Sequence, residues 1–137
     1  MRAETEIGPV IQGWRIRRGW TAARLARASG VSADTVGGWE RGRNYPQAAL
    51  LIRVAGALGR RLVWRSDGRD YAVDDPGGAV AIWRRSAGVS VRRLSRRAGW
   101  CESTLTRLQT RPDHDPRWPL VVDCAEACGI ELHWVKG

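Results

Sequence analysis

A chain of 137 residues with 23 Lys plus Arg against 14 Asp plus Glu has room for one ordinary domain or two very small ones. Its net charge of +9 makes a polyanion the first partner to consider, nucleic acid ahead of an acidic membrane surface. No apolar run approaches the roughly 18 residues of a membrane span, the first residues lack the apolar core of a signal peptide, and three cysteines confined to the second half make no disulfide framework, so a soluble protein of a reducing cytoplasm is expected.

Taken in order, the chain first offers helical signals from Pro9 through Ile11 and Trp14 to a stop at Gly19. Thr21 is placed to cap a short helix carrying Leu25 and Ala26 and ending at Gly30, and Ser32 to cap a third in which Val36 and Trp39 face one way. Residues 42–46 form a loop, and a fourth helix over 47–58 sets Leu51, Ala55 and Leu58 on one face before Gly59. Leu62-Val63-Trp64-Arg65 alternates as a strand does, and Tyr71-Ala72-Val73 can return beside it after a turn within 66–70. Residues 74–78, Asp-Asp-Pro-Gly-Gly, are expected to be a linker. Further helices follow near 80–86, 91–98, 102–109 and 117–128, with Pro119 expected to delay or bend the last, and a final strand over 131–135.

The second series repeats the first. Trp14-Arg15 recurs as Trp83-Arg84, Gly19 as Gly88, Arg24-Leu25 as Arg93-Leu94, Arg27 as Arg96, Gly30 as Gly99 and Thr35 as Thr104, an offset of sixty-nine residues. After one inserted residue Pro46 matches Pro116, Ala55 matches Ala125, Gly59 matches Gly129, Leu62 matches Leu132 and Trp64 matches Trp134. Agreement at turn glycines and apolar helix positions indicates a duplicated unit. The expected architecture is mainly α, with units at 1–65 and 80–137 joined by a turn, strand and acidic connector at 66–79. The strands are expected to pair into a small sheet, either joining the two halves or joining two chains, because an isolated hairpin is marginal in water. Net charge runs +8, −3 and +4 over those three segments, and all basic residues but one are Arg, a side chain suited to bidentate phosphate contact; a GC-rich genome gives the same bias.

The first unit resembles the Cro/CI-type helix-turn-helix, the XRE family. The resemblance rests on Leu25-Ala26, the turn Gly30-Val31-Ser32, and Trp39-Glu40-Arg41-Gly42-Arg43 followed by Pro46. The second copy is similar more loosely, since Gln109 replaces the Glu and Thr110-Arg111-Pro112 replaces the Gly-Arg loop; the two cover about four fifths of the chain. What the resemblance implies is a pair of lambda-repressor-like units whose third helices enter the major groove of double-stranded DNA. Base-facing positions are then Ala33, Asp34, Gly37 and Gly38 in the first unit and Glu102, Ser103, Thr106 and Arg107 in the second. Phosphate contacts fall to Arg15, Arg18, Arg24, Thr35, Arg41, Arg43 and Asn44, echoed by Arg84, Arg92, Arg93 and Arg96. The two adjacent glycines depart from the family pattern and cost a helix about 1 kcal/mol each relative to Ala. They suit close backbone approach to DNA, loss of reading to the other copy, or packing against a neighbouring helix. Arg107 can pair with guanine and Glu102 with cytosine.

Five of the eight tryptophans, Trp14, Trp39, Trp64, Trp83 and Trp134, fall at core or sheet-facing sites of the repeat, while Trp20, Trp100 and Trp118 can cover an interface. Cys124 and Cys128 with His114 or His133 lack zinc-knuckle spacing, so no metal is expected. No phosphate loop or nucleophile–base–acid set is present, so neither an enzyme nor a cofactor is expected. The functional expectation is a transcriptional regulator, a repressor, whose operator can be asymmetric or a direct repeat. The alternatives are an antitoxin or phage-type regulator that also binds a toxin-like protein partner, and a second unit degenerated into a homodimerisation module.

Overall fold

The computed structural model of the chain describes residues 6–111 and 115–137. The element order is α1 (Ile7–Arg17), α2 (Ala22–Ser29), α3 (Ala33–Glu40), α4 (Ala48–Ala57), β1 (Arg60–Ser66), β2 (Arg69–Ala72), α5 (Pro76–Ser86), α6 (Val91–Ala98), α7 (Glu102–Thr110), α8 (Trp118–Ala127) and β3 (Glu131–Lys136). Four helices and two strands are thus followed by four helices and one strand.

Local chemistry sets the helix ends. The Thr21 and Ser90 hydroxyls accept from the backbone N–H groups of Arg24 and Arg93, each at 3.1 Å, and so cap α2 and α6 alike. Both helices close on a left-handed glycine, Gly30 with φ of 72° and Gly99 with φ of 78°, a conformation any Cβ would strain. Ser32 caps α3 through Thr35 N at 3.1 Å, whereas Cys101 at the start of α7 makes no such bond.

Several boundaries differ from the sequence expectation. Residues 76–78 are not linker: Pro76 begins α5, where its missing N–H costs nothing. Gly77 lies in that first turn because a Cβ there would sit 2.9 Å from the Leu108 carbonyl oxygen of α7, as one on Gly8 of α1 would sit 2.5 Å from that of Trp39 in α3. These crossings place α1 on α3 and α5 on α7 at bare backbone. The connector between sheet and α5 shrinks to residues 73–75. α8 starts at Trp118, one residue after the expected 117, with Pro119 in its first turn, where a missing N–H costs nothing.

The three strands form one antiparallel sheet in the order β2-β1-β3. A tight turn at Asp67-Gly68, both with positive φ (51° and 74°), returns β1 into β2 with Ser66 opposite Arg69. β1 also pairs β3 from Arg60 opposite Lys136 to Arg65 opposite Glu131, so the sheet joins the two halves within one chain. A second junction joins the starts of α4 and α8: Ala48 N donates to Pro116 O at 2.7 Å and Trp118 N to Pro46 O at 3.0 Å.

The core is continuous across this seam. Trp14 meets Trp134 edge to face at 5.3 Å, Trp83 meets Trp64 at 6.4 Å, and Trp118 lies 5.6 Å from Trp134. Trp83 and Trp118 are wholly buried, Trp14 and Trp39 nearly so, and Trp64 and Trp134 half-buried. Trp20 and Trp100 are half-buried at the periphery, the latter donating from Nε1 to Asp123 at 2.9 Å.

Candidate nucleic-acid interface

The element that would enter a groove is α3, held by packing against α1 and α2 through buried Val36 and Trp39. Its first turn is open: Ser32, Ala33 and Asp34 are exposed, and Thr35 is half-buried with Oγ1 at 2.8 Å from Ser32 Oγ. The glycines behave otherwise than expected. Gly38 is buried, with a Cβ position 3.2 Å from the Asn44 side chain, and Gly37 lies 3.1 Å by the same measure from the Arg41 guanidinium. Neither packs on a neighbouring helix. Side chains from the following loop fold over both, so what this stretch of α3 presents is Arg41 and Asn44.

On α7 the corresponding positions Glu102, Ser103, Thr106 and Arg107 are all exposed. Arg107 Nε rests on the Ser103 carbonyl oxygen at 3.4 Å, a long surface bond that a better acceptor can replace.

Two arginines assigned to phosphate make hydrogen bonds within the protein. Arg15 donates Nε and Nη2 to the Glu40 carboxylate at 3.0 and 2.7 Å and Nη1 to the Trp20 carbonyl oxygen at 3.0 Å, with side-chain exposures of 14% for Arg15 and 7% for Glu40. Arg84 repeats the arrangement with a neutral partner, donating to Gln109 Oε1 and Val89 O, both at 3.0 Å. Each ties the first helix of its half to the third and to the turn before the second.

The other assigned cations remain at the surface. Arg18 and Arg24 each lie 4.9 Å from the Trp20 ring, so one indole holds two guanidinium groups. Arg41, Arg43 and Asn44 are exposed on the loop after α3, and Arg92, Arg93 and Arg96 on α6. Two residues join this set that the sequence reading left out: Arg27, which borders a shallow hollow on α2 with Arg24, and Arg97 on α6. The match of Arg27 to Arg96 in the repeat was the signal for the first.

Cys101 occupies the cap position of α7 and is exposed, and hydrogen bonds from Thr104 and then Ser103 bring its thiol pKa down to about 7. Burial pushes Cys124 up to about 12. Alkylation by iodoacetamide should therefore label Cys101 first, at a rate rising through pH 7 as the thiolate forms, and leave Cys124 unmodified in folded protein; peptide mass mapping across pH 5–9 checks both. Cys124 and Cys128 pack against the core, and no three of His, Cys, Asp and Glu converge among the described residues, His114 lying outside them. Among the described residues no helix is long and apolar enough to cross a membrane.

Residues 11–65 match the helix-turn-helix family, a family of DNA-binding transcription regulators. No curated protein and no solved structure matches the chain.

Proposed function

We propose that the chain regulates transcription by sequence-specific binding to double-stranded DNA, with α3 and α7 as two groove-entering helices and repression following from occupancy of promoter DNA. The observation that carries this reading is the segment from Thr21 to Glu40: two short capped helices joined through the left-handed Gly30, inside the residues that match the helix-turn-helix family. The open first turn of α3 and the Trp20-mounted pair Arg18 and Arg24 supply a groove element and a phosphate clamp beside it. Support for α7 as the second reader comes from its capped, left-handed-glycine approach through α6 and from its four exposed polar positions.

Division of labour follows from these side chains. α3 offers few long donors or acceptors of its own, so the first half contributes affinity through Arg18, Arg24, Arg41 and Arg43. α7 contributes discrimination through Glu102 and Arg107.

Two variants test it by fluorescence anisotropy on a selected duplex. Arg18→Ala with Arg24→Ala weakens binding to all duplexes alike and lowers the dependence of log K on log salt by about 1 per lost phosphate contact. Arg107→Ala leaves the salt dependence nearly intact and costs about 1–3 kcal/mol of discrimination at one base pair. Full retention of sequence preference in Arg107→Ala removes α7 as a reader and favours a second half that serves dimerisation or a toxin-like partner. The exposed edge strand β2 is the observation that keeps the partner-binding alternative in view.

A further inference from the structure

Most contacts between the two halves share one property: the set is exchanged with itself when the residues are replaced by their repeat equivalents. In the β1–β3 ladder Leu62 faces Trp134 and Trp64 faces Leu132, while Val63 faces its own equivalent His133. At the helix starts Gln47 pairs with its own equivalent Arg117, and the flanking bonds, Ala48 to Pro116 and Trp118 to Pro46, are each other's images. In the core Trp14 packs on Trp134 at an interplanar angle of 76° and Trp83 on Trp64 at 77°, again an exchanged pair.

A head-to-tail arrangement puts different surfaces of the two halves together, whereas reciprocal contacts centred on self-pairs are the signature of a two-fold axis. Two self-pairs on separate elements, Val63 with His133 and Gln47 with Arg117, fix that axis within the chain. It carries α3 onto α7 in opposed orientation. The symmetry is broken in detail. Ala49 N donates to Asp115 at 2.9 Å, a bond with no image because Pro119 lacks an N–H, and Trp20 with its two arginines is replaced by Val89. On the reading helices Gly38 stands where α7 has Arg107.

Resting on the DNA-binding function proposed above, we infer that the target is an inverted repeat with unequal halves, spanned by a single chain: opposed in orientation because α3 and α7 are related by a two-fold, and unequal because their exposed side chains differ. This replaces the direct repeat that the bare sequence allowed.

Selection of bound sites from random duplexes with the full chain, followed by titration of altered sites, tests it. An enriched pair of oppositely oriented elements is expected, one chain per duplex by mass. Reversing one element in place, or inserting five base pairs at the centre to turn the halves about half a helical turn apart, should lower affinity by about tenfold or more. With Arg107→Ala, enrichment should fade in one element and persist in the other. A direct repeat, or a single element indifferent to reversal and insertion, overturns the inference while leaving DNA binding intact. Absence of measurable affinity for any duplex overturns the function beneath it as well.

Discussion

Trp83→Ala lowers the free energy of unfolding by about 3–5 kcal/mol, the range for deleting a buried tryptophan, and the thermal midpoint by about 10–20 °C for a chain of this size. Trp83 is completely buried and stands edge to face with Trp64, a residue of the other half's strand. The cavity therefore opens at the seam, and both halves should still melt in one transition when near- and far-ultraviolet dichroism are followed together. The indole Nε1 is buried with no hydrogen-bond acceptor among the described residues, a desolvation cost of about 1–3 kcal/mol in the native protein. Trp83→Phe removes that orphan donor along with some volume, and the two effects should nearly cancel. A Phe variant as unstable as the Ala variant would show that indole shape dominates over the unmet donor.

Glu40→Ala costs about 3 kcal/mol, because it leaves the largely buried Arg15 guanidinium with only the Trp20 carbonyl oxygen. Glu40→Gln costs much less, about 1 kcal/mol. The second half already contains that outcome, with Arg84 on the neutral Gln109 at the same 3.0 Å and the same bond back to the turn. Urea unfolding at constant slope measures both variants, and equal losses would mean that charge, rather than hydrogen-bond geometry, holds α1 to α3.

Where helix ends depend on neighbouring residues, the sequence was an adequate guide. Thr21 and Ser32 cap because their hydroxyls lie three residues from the N–H they satisfy, and Gly30 and Gly99 follow as left-handed stops; the Ser90 cap of α6 obeys the same rule although the sequence reading did not name it. What depends on residues far apart was not legible in the same way. The acidic, glycine-containing stretch before α5 has the composition of a loop, and only the approach to the Leu108 carbonyl reveals why a glycine stands in a helix there. Arg15 looked like a surface cation because its partner lies twenty-five residues on. The clue was present, since Arg15 and Glu40 correspond to Arg84 and Gln109 in the repeat. The family resemblance assigns Gly38 a base-facing position, and the Asn44 side chain from the following loop, which a resemblance between motifs does not register, lies over it. That β1 pairs β3 of the same chain was not legible either, because the alternation of 62–65 marks a strand without naming its partner.

Because the β1–β3 ladder closes between two parts of a single polypeptide, bringing the two halves together needs no encounter between separate molecules and is untouched by dilution. Self-association of separate chains carries a concentration threshold, whereas the pairing of these two halves carries none of its own. The same linkage lets the halves drift apart in sequence without loss of pairing, since neither must remain able to meet a copy of itself.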